Sequence, residues 1–541
     1  MGHPNVDTAA LQDGTRKAIQ GTLLGIGMKI LSFVLSQMTI RLVDPVLFGM
    51  AAIKLDLLLS SILFLSREGF RLALTRNDNS TKKMDMKNQT PDMVIDVAWL
   101  TVPVGIVLSF AALLIHLKSC DPFQIDYQMA GCLYCFAAMV ESFAEPLVIL
   151  YAFREMDVKT RAAAEASAAL VKAMCIVGLL SFAFSNGHSN THQWLSKYPV
   201  TVFGIGQLLH SIVLCSVYYV RKWNMLCFPT KASFDGPTLR LAGVFSIQGI
   251  FKHALTEGDR IILTALAQGY DQGVYAMAQS YGGLASRLIL QPLEENSRLL
   301  FSRQHRLASS SAIGALELQK TLGALVKMVL YIGLTFACFA TNYTKLLLRI
   351  MAGSKWGAND QAAAVLSAFC VYTSVMALNG TTEAFVYGVA QSGGEVGQLS
   401  VAHAVVGGAF AVLAPILVNM YGTVGLVMAN GICMTLRSLY SLSFAAHYFS
   451  SKSKVTTFWN EFVVLAKAMT PHPFSLIAFA VSYFVTHKTA LAAENLGDGL
   501  NASLNHVAIG ALMFFVVMIV AFFTEQDFLK TARDLSRVKK D

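Results

Sequence analysis

Lys252-His253-Ala254-Leu255-Thr256-Glu257-Gly258-Asp259-Arg260 lies inside a run, Leu241 to Gln268, that otherwise reads as membrane-spanning. Five ionisable groups fall within these nine residues. On a continuous helix Lys252, Thr256, Asp259 and Arg260 share one face, with His253 and Glu257 (i, i+4) beside them. Each formal charge near a bilayer centre costs roughly 2.5–3.5 kcal/mol, whereas each apolar residue returns only about 0.3–0.6 kcal/mol. The run holds eleven Leu, Ile, Val and Phe residues, too few to carry such a stripe against lipid. The stripe is therefore expected to face protein or water, as a transport path or a buried ion-pair lock does.

The next segment repeats the pattern. Arg287, Gln291, Glu294, Glu295 and Arg298 follow i, i+4, i+7, i+8, i+11 spacing, a single helical stripe. Pro292 lacks a backbone donor and is predicted to bend this helix, freeing the carbonyl of Leu288. Two readings of the stripe stay open: the polar wall of a wet chamber shared by two halves, or an Arg–Glu lock holding them together.

Outward from this centre the whole chain is apolar. Of 541 residues 55% are hydrophobic and 14% charged, against about 25% charged in a soluble domain. Apolar runs near 20 residues recur from end to end and do not alternate, which indicates an all-α polytopic membrane protein and argues against a β-barrel. Fourteen spans are predicted, at 18–40, 46–66, 93–116, 127–152, 162–184, 199–220, 241–268, 273–295, 321–344, 362–390, 400–420, 422–445, 471–487 and 503–524. Similar features recur six spans apart, such as Glu145-Pro146 in the fourth and Glu383-Ala384 in the tenth. This suggests a parallel pseudo-repeat of two six-helix lobes. The expected organisation is a cytosolic N-terminus (1–17), an N-lobe (18–220), a cytosolic linker (221–240), a C-lobe (241–445), two further helices (446–524) and a cytosolic tail (525–541). Lys and Arg number 26 on the side of the termini and seven on the other, which places both termini in the cytosol. The sequons at Asn342 and Asn501 then fall on the opposite side as candidate glycosylation sites, while those at Asn79 and Asn88 face the cytosol.

Other polar groups lie within or beside spans. Arg67, Glu68 and Arg71 stand where the second span meets the cytosol and read as an orientation signal, a gate ion pair or a phosphate contact. Glu145 and Glu383, like Glu141, are expensive in a span and must be protonated or paired; the first two are candidate coupling carboxylates. Lys54 with Asp56, Lys172, Lys327 and Arg437 are further buried candidates. The nine Cys lie mostly in apolar segments without metal-site spacing, so no metal is expected. No GxxxxGK[ST], HExxH or GxSxG occurs, and no catalytic constellation is visible, so neither an enzyme nor a cofactor is expected. The net charge of +9 follows membrane topology and calls for no nucleic acid.

The strings Phe64-Leu65-Ser66-Arg67-Glu68-Gly69-Phe70-Arg71, Leu255-Thr256-Glu257-Gly258-Asp259-Arg260, Arg287-Leu288-Ile289-Leu290-Gln291-Pro292-Leu293-Glu294-Glu295 and Asn379-Gly380-Thr381-Thr382-Glu383 resemble the Rft family of endoplasmic-reticulum membrane proteins. The resemblance covers nearly the whole chain, with Asp259 standing where the family commonly has Glu. It implies a fourteen-helix fold of the multidrug/oligosaccharidyl-lipid/polysaccharide flippase superfamily. It also implies a role in N-linked glycosylation, moving the dolichol-pyrophosphate-linked Man5GlcNAc2 oligosaccharide to the lumenal leaflet or helping to move it. Such a substrate is a dianion on a lipid followed by a neutral glycan. Lys252, Arg260 and Arg287 are then expected at the head group, with Glu257, Glu294 and Glu295 pairing to them when the site is empty. Thr256, Gln291 and Asn379 are expected along the cavity, and Asp259 and Arg298 among the gate charges. The implied partners are the dolichol-linked lipid, membrane lipids and proteins of the glycosylation pathway. Two other readings stay in view: a cation-coupled exporter of small amphipathic molecules working through Glu145 or Glu383, and a non-transporting scaffold of that pathway.

Overall fold

A computed structural model of the chain describes residues 31, 34–75, 91–121, 124–154, 158–184, 190–223, 228, 236–308, 312–357, 359–390, 393–452, 457–495 and 499–537. Most of the first predicted span and the sequons at Asn79 and Asn88 lie outside them. No strand occurs among the described residues. Ten of the described helices are long and apolar enough to cross a membrane, and the protein is an all-α, multi-pass membrane protein.

The chain divides into two compact units, Met1–Gly273 and Val274–Asp541. The principal helices of the first are α1 (Asp56–Thr75), α2 (Thr101–Ser119), α3 (Ile125–Leu147), α4 (Val158–Ala183), α5 (Pro199–Arg221), α6 (Gly236–Thr256) and α7 (Gly258–Leu266). The division falls after the fifth residue of α8 (Gly269–Ala285). The second unit continues with α9 (Gln291–Ala308), α10 (Ala312–Thr335), α11 (Thr341–Met351), α12 (Asp360–Val389), α13 (Gly393–Lys452), α14 (Phe458–Met469), α15 (Pro473–Asn495), α16 (Leu500–Thr524) and α17 (Gln526–Arg537).

Two expectations change here. The run 241–268 is not one helix: α6 ends at Thr256, Glu257 leaves helical geometry at φ −97, ψ 11, and α7 starts at Gly258. Gly258 carries the largest backbone freedom of any residue, and hydropathy alone does not register it. Lys252 and Thr256 thus stand on a different helix from Asp259 and Arg260. Second, α6 packs on α1 and lies in the first unit, whereas the sequence placed 241–268 with the C-lobe. The physical reason is a bare contact face. A Cβ on Gly69 would stand 2.0 Å from Ser246 Oγ and 2.7 Å from the carbonyl of Ala242. Without a hydrophobic drive between helices in lipid, such close backbone approach is what association depends on.

Elsewhere in the first unit three alanines let larger side chains interlock. Ala144, Leu147, Val148 and Tyr151 interlock with Ala164, Ala168, Leu214 and Tyr218 where α3, α4 and α5 meet. The second unit packs larger side chains: Phe301, Leu322, Phe385, Phe449 and Leu465 form one core, with the rings of Phe301 and Phe385 edge-to-face at 5.3 Å. Inside α13, Gly422 at φ 58, ψ −141 breaks the helix into two arms, where spans at 400–420 and 422–445 were expected. The loop expected at 446–470 is largely helical, because α13 runs on to Lys452 and α14 follows. Buried Glu525, just past α16, ties that helix end to its neighbours: it accepts from Lys327 Nζ at 2.9 Å, Tyr331 Oη at 3.0 Å and the His472 N–H at 2.7 Å.

The Gly69 contact is testable. Gly69→Val overpacks the α1–α6 seam and is expected to cost at least about 1–3 kcal/mol. Gly243→Val, where no atom lies within 4 Å of the added Cβ, is expected to leave the thermal unfolding midpoint in detergent unchanged.

Candidate functional site

The ionisable side chains of each unit sort into locked and accessible groups. In the first unit Glu141 and Glu145 sit one turn apart on α3, only 7% and 2% exposed. Arg67 and Arg71, also one turn apart, meet them from α1. Arg67 Nη1 stands 3.1 Å from Glu141 Oε1 and 3.5 Å from Glu145 Oε2. Arg71 holds Glu145 bidentately, through Nε to Oε1 and through Nη2 to Oε2 at 2.7 Å. Ser211 on α5 donates to Glu141 Oε2 at 3.3 Å. Two guanidinium groups and two carboxylates thus close a grid of zero net charge. Arg67, Arg71 and Glu145 are drawn together as the interhelix lock of one unit, which the sequence could not pair.

Glu68, on another face of α1, takes a different partner: Lys252 Nζ of α6 at 2.9 Å, with 59% of the lysine side chain exposed. Lys252 pairs with Glu68 and not with the Glu257 the sequence suggested. Next to it His253 is buried, in hydrogen-bond contact with Ser61 Oγ at 2.9 Å and stacked on Phe64. Glu257 pairs with Arg260 at 3.2 Å within its own turn, as expected, through a single oxygen. Thr256 donates back to the Lys252 carbonyl at 2.8 Å and stays exposed.

In the second unit Glu383 on α12 is the focus. Arg437, on the second arm of α13, grips it bidentately at 2.8 and 3.1 Å. His403, on the first arm, places Nε2 3.1 Å from Oε1. One turn before Glu383, buried Asn379 accepts from Ser438 Oγ at 3.4 Å. Gly380 leaves room for Glu294: a Cβ there would stand 2.8 Å from Glu294 Oε2. Asn379, Glu294, Glu383, His403, Arg437 and Ser438 therefore form one polar patch. His403 was missed by sequence reasoning; a lone histidine in an apolar run carries no spacing signal of its own.

The stripe expected from Arg287 to Arg298 is interrupted. Ser286–Leu290 is a π-turn, closed by Gln291 N–H on the Ser286 carbonyl. It absorbs the donor missing at Pro292 and shifts the helical phase of everything after it. Arg287 donates to its own Gly283 carbonyl at 3.0 Å, and Gln291 donates to Glu295 at 3.3 Å; all three side chains are exposed, as is Arg298. Arg287 is thus not paired with Glu294 or Glu295 as proposed from sequence. Asp259 is half-buried on α7. The amide of Asn342, where a glycan was expected, is committed instead: it donates to Thr486 Oγ1 at 2.8 Å and to the Tyr483 carbonyl at 3.1 Å. Asn501 is exposed in the first turn of α16. Among the described residues no group of three or more His, Cys, Asp or Glu could hold a metal ion.

The model of the family described as Rft protein matches residues 18–534. The chain belongs to the Rft family. This Rft protein is 34% identical over 486 residues to the "Man(5)GlcNAc(2)-PP-dolichol translocation protein RFT1" of Yarrowia lipolytica, covering 80% of this chain and 70% of that one. The protein of the same name from Mus musculus is 28% identical and covers 98% of both chains. Among solved structures, lipid II flippase MurJ in an inward closed conformation superimposes with TM-score 0.60 at 15% identity, covering 94% of the Rft chain and all of its own. An inward-facing multidrug MATE transporter gives 0.53 at 12% identity over 79% of this chain and 96% of its own. The Rft protein thus has the fold of these transporters.

Breaking the α1–α3 grid has a directional consequence. Glu145→Leu leaves the half-buried Arg71 guanidinium without its bidentate partner and is expected to cost about 1–3 kcal/mol of stability. The pair Glu145→Leu with Arg71→Met is expected to recover most of it, because matched apolar groups need no desolvation. Thermal unfolding of the purified variants in detergent measures both.

Proposed function

We propose that this chain moves the dolichol-pyrophosphate-linked Man5GlcNAc2 oligosaccharide, or is required for its movement, from the cytosolic to the lumenal leaflet of the endoplasmic-reticulum membrane. The carrying observation is full-length likeness to relatives named for translocating Man(5)GlcNAc(2)-PP-dolichol, on a fold shared with a lipid flippase. The chain acts without catalysis, and both termini lie in the cytosol.

The two classes of cation divide the labour. Arg71 and Arg437 are each spent on both oxygens of one carboxylate and serve as structural locks. Lys252 and Arg260 are each held by one carboxylate oxygen and Arg287 by one backbone carbonyl, so each can exchange partners. These three are the contacts for the pyrophosphate along its passage, with Thr256, Gln291 and Asn379 offering hydrogen bonds to sugar hydroxyls. A cation-coupled exporter would need an accessible carboxylate at Glu145 or Glu383, and both are engaged by guanidinium groups.

Charge reversal tests the reading. Lys252→Glu and Arg287→Glu are expected to insert normally and to lower transfer of the lipid-linked oligosaccharide in reconstituted liposomes by about tenfold or more, the loss of one charge-assisted hydrogen bond. Both are expected to fail in restoring glycosylation to a deficient cell, while Lys252→Arg restores it. Full activity of both reversals would remove the proposal and leave the scaffold reading standing.

Orientation has its own check. Asn501→Gln is expected to abolish a glycosidase-sensitive mobility shift and Asn342→Gln to leave it in place. A shift unaffected by Asn501→Gln counts against the assigned topology.

A further inference from the structure

The second unit holds a polar cavity that the head-group contacts do not use. It measures about 250 Å³ and opens where α11 and the start of α12 meet the end of α15 and the start of α16. Charge bias assigns this end of the unit to the lumenal side. Lys345, Arg349, Asp360, Ser367, Glu494 and Ser503 line it, together with His487 and His506. Two cations face two carboxylates, so the wall carries no net formal charge.

The floor is held in place. Asn342 is fixed on α15 by Thr486 and Tyr483. Thr344 and Ser367 hydroxyls share a hydrogen bond at 2.9 Å. His506 stacks on Tyr343 at 4.1 Å and 12°, with Nδ1 2.7 Å from Thr489 Oγ1. Room for the Tyr343 ring exists because position 510 is glycine; a Cβ there would meet the Tyr343 hydroxyl at 1.8 Å. Such a floor has little entropy left to lose when a ligand arrives.

The wall discriminates by chemistry. Lys345 bridges Asp360 at 2.8 Å and Glu494 at 2.9 Å, using one oxygen of each. A pyrophosphate entering here would have to displace Asp360 and Glu494 from Lys345 and would then face two freed carboxylates, with Arg349 the wall's other cation. A sugar meets the reverse situation: each hydroxyl both donates and accepts, and the wall offers carboxylate acceptors, an ammonium donor and hydroxyls of either kind. Asp360 keeps 87% of its side chain exposed and Glu494 41%, so both can turn an oxygen to a ligand. The volume lies below the roughly 300–1,000 Å³ of drug-sized pockets and suits one or two sugar rings.

We propose that this cavity is a glycan subsite, taking a terminal neutral hexose of the lipid-linked oligosaccharide on the lumenal side. The identity of the glycan rests on the transport reading above; the preference for a neutral polyol over an anion rests on the cavity alone.

The test uses the full chain in lipid nanodiscs, with lipid-free Man5GlcNAc2 and inorganic pyrophosphate as separate probes, read by saturation-transfer NMR and calorimetry. Two variants are compared with the wild type: Ser367→Leu, which fills the cavity, and Asp360→Asn, which removes an exposed charge and leaves the packing alone. The wild type is expected to bind the oligosaccharide. Asp360→Asn is expected to weaken that binding about tenfold, as the loss of a charged acceptor does, and Ser367→Leu at least as much. Pyrophosphate binding is expected to stay unchanged in Ser367→Leu and not to fall in Asp360→Asn, where one opposing carboxylate is gone. No oligosaccharide binding by the wild type, or equal affinity in the wild type and Asp360→Asn, overturns the subsite even where the wild type restores glycosylation. Weakened oligosaccharide binding in Asp360→Asn upholds it even if Lys252→Glu and Arg287→Glu transport normally, so the two readings fail separately.

Discussion

A carboxylate placed where water cannot reach it must find a cation, and this requirement organises both units. Glu141 and Glu145 meet Arg67 and Arg71, and Glu383 meets Arg437. In every case the partners come from different helices. Lipid gives helices no hydrophobic reason to associate, so directional contacts and close packing decide which helix lies against which. An apolar face slides along its neighbour with little penalty. A bidentate guanidinium–carboxylate pair does not, because an offset of one residue turns the groups apart while both remain desolvated. The ion pairs thus act as register pins, and the alanine and glycine faces around them supply the close approach that lets the pins reach.

How much of this was legible in the sequence follows from the range of each interaction. Helices were visible because hydropathy is local, and the fold class followed from their number and composition. Glu145, Glu383 and Arg437 stood out singly because each is costly in an apolar run. Their pairings were not legible, because Arg71 lies 74 residues before Glu145 and Arg437 lies 54 after Glu383. Helical spacing relates only neighbours three or four positions apart. The break at Glu257 was locally encoded, since Gly258 follows it and an acidic residue opens the next turn. A window average over 241–268 conceals such a signal. At Pro292 the missing donor was foreseen. The π-turn upstream of it was not, because nothing in the proline itself says on which side the helix will adjust.

The placement of α6 corrects the reading of Lys252 in an instructive way. Spacing put Lys252 and Arg260 on one stripe, which suggested that they act together on one anion. With α6 laid along α1, Lys252 belongs to Glu68, and Arg260 belongs to Glu257 one turn away on a separate helix. Each cation carries its own resident carboxylate. On the transport reading proposed above, an arriving dianion would not be attracted by unbalanced positive charge; it would compete with carboxylates already present.

That competition bears on how a charged head group can cross at all. A path left positively charged when empty would itself be unstable in the low-dielectric interior, by several kcal/mol for each unmatched ion. At Lys252 and Arg260 the resident carboxylates Glu68 and Glu257 balance the charge of the proposed path when it is empty, whereas Arg287 rests on a backbone carbonyl. A pyrophosphate on the proposed path would have to displace those two carboxylates, and each freed carboxylate would need water or another donor at that moment. Exposure of Lys252 beside Glu68 makes the exchange feasible, since at high local dielectric a pair at this distance is worth only about 1 kcal/mol. Glu145, only 2% exposed where it meets Arg71, has no such freedom, because opening the pair would leave its carboxylate without water. The same residue types thus serve opposite ends in one chain, and the difference between a lock and a contact is set by how much solvent reaches them.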